Sequence, residues 1–238
     1  MGNAGVKHHV DTAKKTGVLK VSQSKLNEFP QDFLQCEGNL RTLDISDNKF
    51  ITLPNEIARF IHLKNLNLNK NKLTKIPDCI GALTKLDTLS ACNNNLTSLP
   101  RTISNLIHLK AVYLSDNHFK EVPTVFCGLK HLDVLDLSRN DITSITGDIS
   151  TLNVTELNLN QNQIAELSGQ IALCPRLKTL RLEENCLQIT SISPRILTDS
   201  KISNLTLEGN LFEMKQLQEL DGYEAYMERY TAVKKKLF

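Results

Sequence analysis

Apolar residues return along this chain with two interleaved rhythms. From Leu63 the order Leu-Lys-Asn-Leu-Asn-Leu alternates at period two, which predicts a short strand with Leu66 and Leu68 turned inward and Asn65, Asn67 and Asn69 outward. The wider pattern L-x-x-L-x-L-x-x-N-x-L, with Leu, Ile, Val and Phe exchanging, recurs nine times. Its first positions are Thr16, Leu40, Leu63, Leu86, Leu109, Leu132, Val154, Leu177 and Ile202. Steps of 24, 23, 23, 23, 23, 22, 23 and 25 residues set a period close to 23. No such unit can bury its apolar face alone, so stacked units sharing one core are expected.

A column of Asn follows the strands at Asn48, Asn71, Asn94, Asn117, Asn140, Asn162, Asn185 and Asn210, with Ser24 in the first unit. The chain turns there, and each buried amide group left unpaired would cost about 1–3 kcal/mol. Asn carries both donors and an acceptor, so it can bridge its own turn and the neighbouring one. Next come Pro30, Pro54, Pro77, Pro100 and Pro123, five of the seven prolines, which stop the strand and send the chain to the convex side. Apolar pairs such as Ile57/Phe60, Ile80/Leu83 and Ile103/Leu106 then face the strands. The proline column lapses at Thr146 and Ser168, where a more irregular arc is expected. Ala91 stands where other strands place a large inward residue, a gap that a bulky neighbour is expected to fill.

A repeat of this period predicts a leucine-rich-repeat solenoid: an α/β fold, horseshoe-curved, with a parallel concave sheet and helical caps. Val6, Val10 and Ala13 fall at helical spacing ahead of the first unit. Met214, Leu217 and Leu220, then Tyr223, Met227 and Tyr230, do so after the last, interrupted near Gly222. The expected organisation is residues 1–15 as N-terminal segment and cap helix, 16–212 as nine repeats, and 213–238 as helical cap and basic tail. The polar face of the tail mixes Glu with Lys, which favours a cap over an amphipathic membrane helix.

The net charge of +2 is too small to argue for nucleic acid. Its distribution says more: residues 1–20 carry +3 and residues 229–236 carry +4, around a body that sums to −5. Six cysteines are scattered singly, with no C-x-x-C and no metal-ligand spacing, so no disulfide framework, metal or cofactor is expected. No apolar stretch has the length of a signal peptide or a membrane span, which predicts an intracellular protein. In that compartment the sequons at Asn95, Asn153 and Asn204 are by-products of the repeat.

Units of the form Leu99-Pro100-x-x-Ile103-x-x-Leu106 resemble the intracellular leucine-rich-repeat family, whose members bind small GTPases and phosphatases. The resemblance runs over essentially the whole chain. It takes in Met1-Gly2-Asn3, residues 156–164, 174–177, 182–187 and 208–213, and the tail 222–230 with Lys234 to Lys236. It implies a lipid-anchored, non-enzymatic repeat protein, and points to Gly2 as the anchor. Met1-Gly2 is the start that N-myristoylation requires, although the motif M-G-x-x-x-[ST] asks for Ser or Thr where this chain has Val6. One myristoyl chain binds membranes only marginally, on the order of 10⁴ M⁻¹. Lys7, Lys14 and Lys15 are the candidates to add about 1 kcal/mol each near an anionic leaflet on the cytoplasmic face.

The outward strand column reads Lys20, Asp44, Asn67, Ser90, Tyr113, Asp136, Asn158, Arg181 and Thr206, beside Ser22, Ser46, Asn69, Cys92, Ser115, Ser138, Asn160, Glu183 and Glu208. Tyr113 and Arg181 are the hot-spot types available, with Asp136, Arg139, Glu183 and Glu184 around them in register. A protein partner is the expected occupant; with no basic stripe and one aromatic, nucleic acid is not. His62, His108 and His131 each precede the first Leu of a unit without a third partner, and Cys92 has no nearby His to activate it. Neither a phosphate loop nor triad spacing is present, so no catalysis and no small-molecule substrate are expected. Two functional readings remain: a recruiting module tethered through Gly2, or a soluble regulatory subunit of a phosphatase or small GTPase.

Overall fold

A computed structural model of the chain describes residues 3–145 and 149–235, with side chains from residue 7 onward. It divides into two compact units, Met1–His118 with Leu129–Leu132, and Phe119–Gly128 with Asp133–Phe238.

In the first unit, helix α1 (Asn3–Thr16) precedes five three-residue strands: β1 (Val18–Lys20), β2 (Thr42–Asp44), β3 (Asn65–Asn67), β4 (Thr88–Ser90) and β5 (Ala111–Tyr113). Consecutive strands pair in parallel, and their central residues Leu19, Leu43, Leu66, Leu89 and Val112 stand in one register. All five are fully buried, while the residues on either side are half-buried or exposed, as the period-two alternation predicts. Val10 and Ala13 of α1 are buried as well.

Each proline from Pro30 to Pro100 caps a short 3-10 helix, at Gln31–Cys36, Asn55–Arg59, Asp78–Ala82 and Arg101–Asn105. Its ring removes an N–H that has no partner there, and its extended ψ ends the strand direction. Its carbonyl then accepts the first helical bond, from Phe33, Ile57, Ile80 and Ile103 at 3.0–3.2 Å. Those four donors are the residues that bury their side chains under the sheet. Gly81 is buried where a Cβ would lie 2.7 Å from the Thr102 Cβ and 2.8 Å from its carbonyl, so successive 3-10 helices approach closely there.

The second unit repeats the plan with β6 (Val134–Asp136), β8 (Glu156–Asn158), β10 (Thr179–Arg181) and β11 (Asn204–Thr206), again parallel in sequence order. Two further strands, β7 (Ser144–Ile145) and β9 (Glu166–Leu167), pair on the return path. Thr146, the first lapse of the proline column, lies outside the described residues. At Ser168, the second lapse, the arc is more regular than expected. Ser168 Oγ accepts from Gln170 N at 3.2 Å and starts a 3-10 helix over Gly169–Leu173. The Ser168 carbonyl accepts from Ile171 N at 3.2 Å, as the proline carbonyls do elsewhere, and its side chain adds a cap that proline cannot make.

The Asn ladder lies just behind the strands. Asn94 donates to the carbonyls of Leu68 at 3.0 Å and Ala91 at 3.1 Å, and its Oδ1 accepts from Leu73 N at 3.0 Å. Asn71, Asn117, Asn162 and Asn185 repeat this scheme. The residue before each ladder Asn is left-handed: Asp47, Lys70, Asn93, Asp116, Arg139, Gln161 and Glu184 all have φ between 52° and 57°. Helix α2 (Pro194–Thr198) lies between β10 and β11, and α3 (Met214–Gln218) and α4 (Tyr223–Lys234) follow β11. Gly222 opens α4 with φ of 90°, which explains the break in the apolar stripe. Tyr226 Oη accepts from Leu205 N of β11 at 3.2 Å. Arg229 donates to the carbonyls of Ile202 at 3.0 Å and Leu197 at 2.6 Å, satisfying backbone groups the repeats leave open.

Candidate functional site

The outward face of each sheet is less free than its polarity implies. In the first unit, Asp44 Oδ1 accepts from Ser46 N at 3.0 Å and Ser46 Oγ at 2.7 Å. Asn67 Oδ1 accepts from Asn69 N at 3.1 Å, and Asn69 Oδ1 accepts from Cys92 N at 2.7 Å. Outward Asp and Asn therefore complete backbone hydrogen bonding where the strands end. Tyr113 ends β5, half-buried and in register with Ser90.

The remaining residues proposed for partner contact lie in the second unit. Asp136 Oδ1 is held by Ser138, from N at 2.9 Å and Oγ at 2.7 Å. Arg181 Nε pairs with Glu156 Oε1 at 2.9 Å across β10 and β8, each side chain about a third exposed (38% and 34%). Glu183 accepts from Asn160, whose own Oδ1 accepts from Glu183 N at 2.9 Å. Arg139 donates to Gln161, and Gln161 Nε2 donates to Glu184 Oε2 at 2.8 Å. Four of the predicted residues, Arg139, Arg181, Glu183 and Glu184, thus join cross-strand links through Gln161, Glu156 and Asn160. The links join side chains of neighbouring strands, so a partner would meet charged groups that already have polar neighbours on the sheet. Exposed pairs of this kind contribute little to stability themselves.

Lys7, Lys14 and Lys15 are exposed on α1. Lys14 is engaged, with Nζ 2.6 Å from Gln35 Oε1 and 3.6 Å from Asp11 Oδ1. Asp11 falls between Lys7 and Lys14 on the same helical face and reduces the charge that face presents. Gly2 lies outside the described residues, as does Lys236. Cys92 is half-buried behind its backbone bond to Asn69. Burial pushes the Cys36 and Cys79 thiols up, the opposite of what a nucleophilic cysteine requires. Among the described residues no group of three His, Cys, Asp or Glu could hold a metal ion. No helix among them is long and apolar enough to cross a membrane.

Sequence reasoning missed the edge of the first unit where the chain enters its strands. Arg41 and Lys64 directly precede β2 and β3, and with His62 and Lys85 they line one cleft of about 360 Å³. The readable signal was a basic residue directly before or after the first Leu of successive units.

The leucine rich repeat family matches residues 38–96, 61–119, 84–142 and 107–164, more than half of the chain. Plant intracellular Ras-group-related LRR protein 7 of Oryza sativa subsp. japonica is 31% identical over 70 residues, 29% of this chain and 27% of that protein. Leucine-rich repeat and calponin homology domain-containing protein 1 of Homo sapiens is 33% identical over 86 residues, 35% of this chain and 12% of that protein. The matched stretches therefore span about a quarter or less of these curated relatives. Among solved structures, an LRR protein of Leptospira interrogans superposes with a TM-score of 0.73 at 27% identity, covering 89% of this chain and 61% of that one.

Proposed function

The chain belongs to the leucine-rich-repeat family, and on that footing we propose that it is a non-enzymatic recruiting module, tethered to the cytoplasmic face of a membrane through myristoylated Gly2. A leucine-rich-repeat module binds protein partners; the tether and the residues that do the binding are this reading's own content. The observation that carries it is the second unit's outward face, where Arg181–Glu156, Asn160–Glu183 and Arg139–Gln161–Glu184 present charged groups held from strand to strand. Such an arrangement supports recognition of a polar protein surface by complementary charge, which sets specificity and encounter rate more than raw affinity. The acyl chain would confine the module to a surface, and Lys7 and Lys15, exposed on α1, would add electrostatic attraction to anionic lipid.

The mass of the N-terminal peptide, taken from protein made in eukaryotic cells, tests the tether. A myristoyl-glycine at Gly2, and release of Gly2→Ala into the soluble fraction, are the expected results. A free or acetylated terminus sinks the tether and makes the lipid-free regulatory subunit the better account, a reading that the Ras-group name of one relative favours. Partner contact is tested by crosslinked capture from cells. Arg181→Glu with Glu183→Lys should abolish capture of a partner that the parent chain retains, and full retention would refute the assigned face.

A further inference from the structure

The cleft at the strand-entry edge of the first unit is lined by Gly38, Asn39, Arg41, His62, Lys64 and Lys85. Three of the six side chains are cationic and none is a carboxylate. Of the neighbouring acids, Glu37 pairs with Arg59 at 2.5 Å, and Asp87, on the rung between Lys64 and Lys110, lies 3.5 Å from the Lys110 ammonium. Arg41, Lys64 and Lys85 are exposed, so three cationic side chains gather around one concavity. Lys85 Nζ lies 3.1 Å from His62 Nδ1.

The backbone beneath is fixed. Arg41 N donates to Gly17 O, Lys64 N to Arg41 O and Asp87 N to Lys64 O, each at 2.8 Å. Arg41 and Lys64 therefore stand on adjacent rungs about 4.8 Å apart, directly before β2 and β3, while His62 and Lys85 lie in the turns that lead into β3 and β4.

We propose that this cleft binds a phosphorylated polyol, either free or as the headgroup of a lipid. Guanidinium and ammonium groups on neighbouring rungs match phosphate oxygens, the first as a fork and the second as a point charge. The volume of about 360 Å³ lies in the range of small-ligand sites, more room than a single inorganic anion needs. The lining holds no Phe, Tyr or Trp and no aliphatic side chain, which leaves only His62 and Arg41 to stack on a base and favours a ligand without one. What remains is a polar, non-aromatic ligand with more than one phosphate, which describes an inositol phosphate.

Calorimetric titration of the full, unacylated chain with inositol trisphosphate at physiological ionic strength tests this. Saturable binding is expected. Lys64→Ala with Lys85→Ala should weaken it roughly tenfold or more, while Lys49→Ala with Lys72→Ala, which removes the same charge from exposed positions elsewhere in the unit, should stay within about twofold. Cosedimentation with phosphatidylcholine vesicles carrying phosphatidylinositol bisphosphate separates the sources. Pelleting that soluble headgroup competes away assigns the lipid, whereas binding of the soluble ligand without pelleting assigns the free polyol phosphate. No saturable binding by either probe, or equal losses in the two double variants, overturns the site. Because the chain used is unacylated, this result stands apart from the test at Gly2.

Discussion

Replacing Asn94 by Ala probes the ladder at a position where each broken bond can be followed. Asn94 Nδ2 serves the carbonyls of Leu68, Ala91 and Cys92 at 3.0, 3.1 and 3.2 Å. All three keep a second donor without it: Asn71 Nδ2 for Leu68, Asn117 Nδ2 for Ala91 and Lys70 N for Cys92. Leu73 N has no such reserve, since its bond is to Asn94 Oδ1 at 3.0 Å in a buried setting. One orphaned N–H costs about 1–3 kcal/mol, and the weakened carbonyl bonds bring the expected loss to about 2–4 kcal/mol. Asn94→Asp separates the donor role from the acceptor role. The carboxylate would still accept from Leu73 N, but it would turn two more acceptors toward those carbonyls and bury a charge. At neutral pH the order of stability should therefore be Asn, then Ala, then Asp, with the Asp variant recovering as acid protonates it and restores a donor. Urea unfolding with compared m-values reads the loss, and exchange at the Leu73 amide reports the orphan directly. An Ala variant within about 1 kcal/mol of the parent, or an Asp variant more stable than Ala at neutral pH, would refute the assignment.

The left-handed Lys70 is exposed, so Lys70→Gly should gain about 0.5–1 kcal/mol and Lys70→Val should lose a similar amount, measured by the same unfolding assay. Gly81→Ala drives a Cβ into Thr102 and should cost about 1–3 kcal/mol, with Thr102→Gly restoring part of it. Arg229→Met leaves the carbonyls of Leu197 and Ile202 without this donor and should cost about 2–3 kcal/mol, seen first as faster exchange in β11. Burial pushes the Cys36 and Cys79 thiols and the Tyr226 phenol up, so folded protein holds these protons longer than unfolded chain does. Unfolding then releases protons above the ordinary thiol range, and Tm should fall as pH rises through that window, less steeply in Cys36→Ala with Cys79→Ala.

The strands, the ladder and the proline-led return were legible because each is fixed by a residue whose chemistry has one use at that place. Leu66 alternates with Asn65 and Asn67, Asn71 follows at the turn, and Pro77 starts the return. The left-handed residue before each ladder Asn was not legible, because Asp47, Lys70, Asn93, Arg139 and Glu184 share no side-chain type. Backbone hydrogen bonding around the ladder sets that φ, and the side chain only tolerates it. The outward columns hid a second duty for a related reason. Asp44, Asn67 and Asp136 read as solvated polar groups or partner contacts, yet each spends its oxygen on the backbone two residues ahead.

That difference bears on where function can be written in such a chain. Buried positions answer to the core, and in the first outward column Asp44, Asn67, Asp136 and Asn158 answer to strand ends, so these vary less freely. Positions on either side of the first Leu of a unit are less bound to the backbone: His62 and Lys85 on one side, and Arg41, Lys64 and Asp87 on the other, present their side chains to solvent or only partly cover them, although Asn39 donates to the Lys14 carbonyl of α1. A like-charged group there gains nothing for folding and works against it through repulsion. Arg41, Lys64 and Lys85 around one cleft, with Glu37 paired to Arg59 and Asp87 beside Lys110, are therefore a cost the fold does not require. A bound anion removes that cost. If the repulsion is real, inositol trisphosphate should raise Tm by mass action in the parent chain and leave the Lys64→Ala, Lys85→Ala chain unmoved, while that variant, free of ligand, should be at least as stable as the parent. A ligand-free variant markedly less stable than the parent would mean that these cations serve the fold after all.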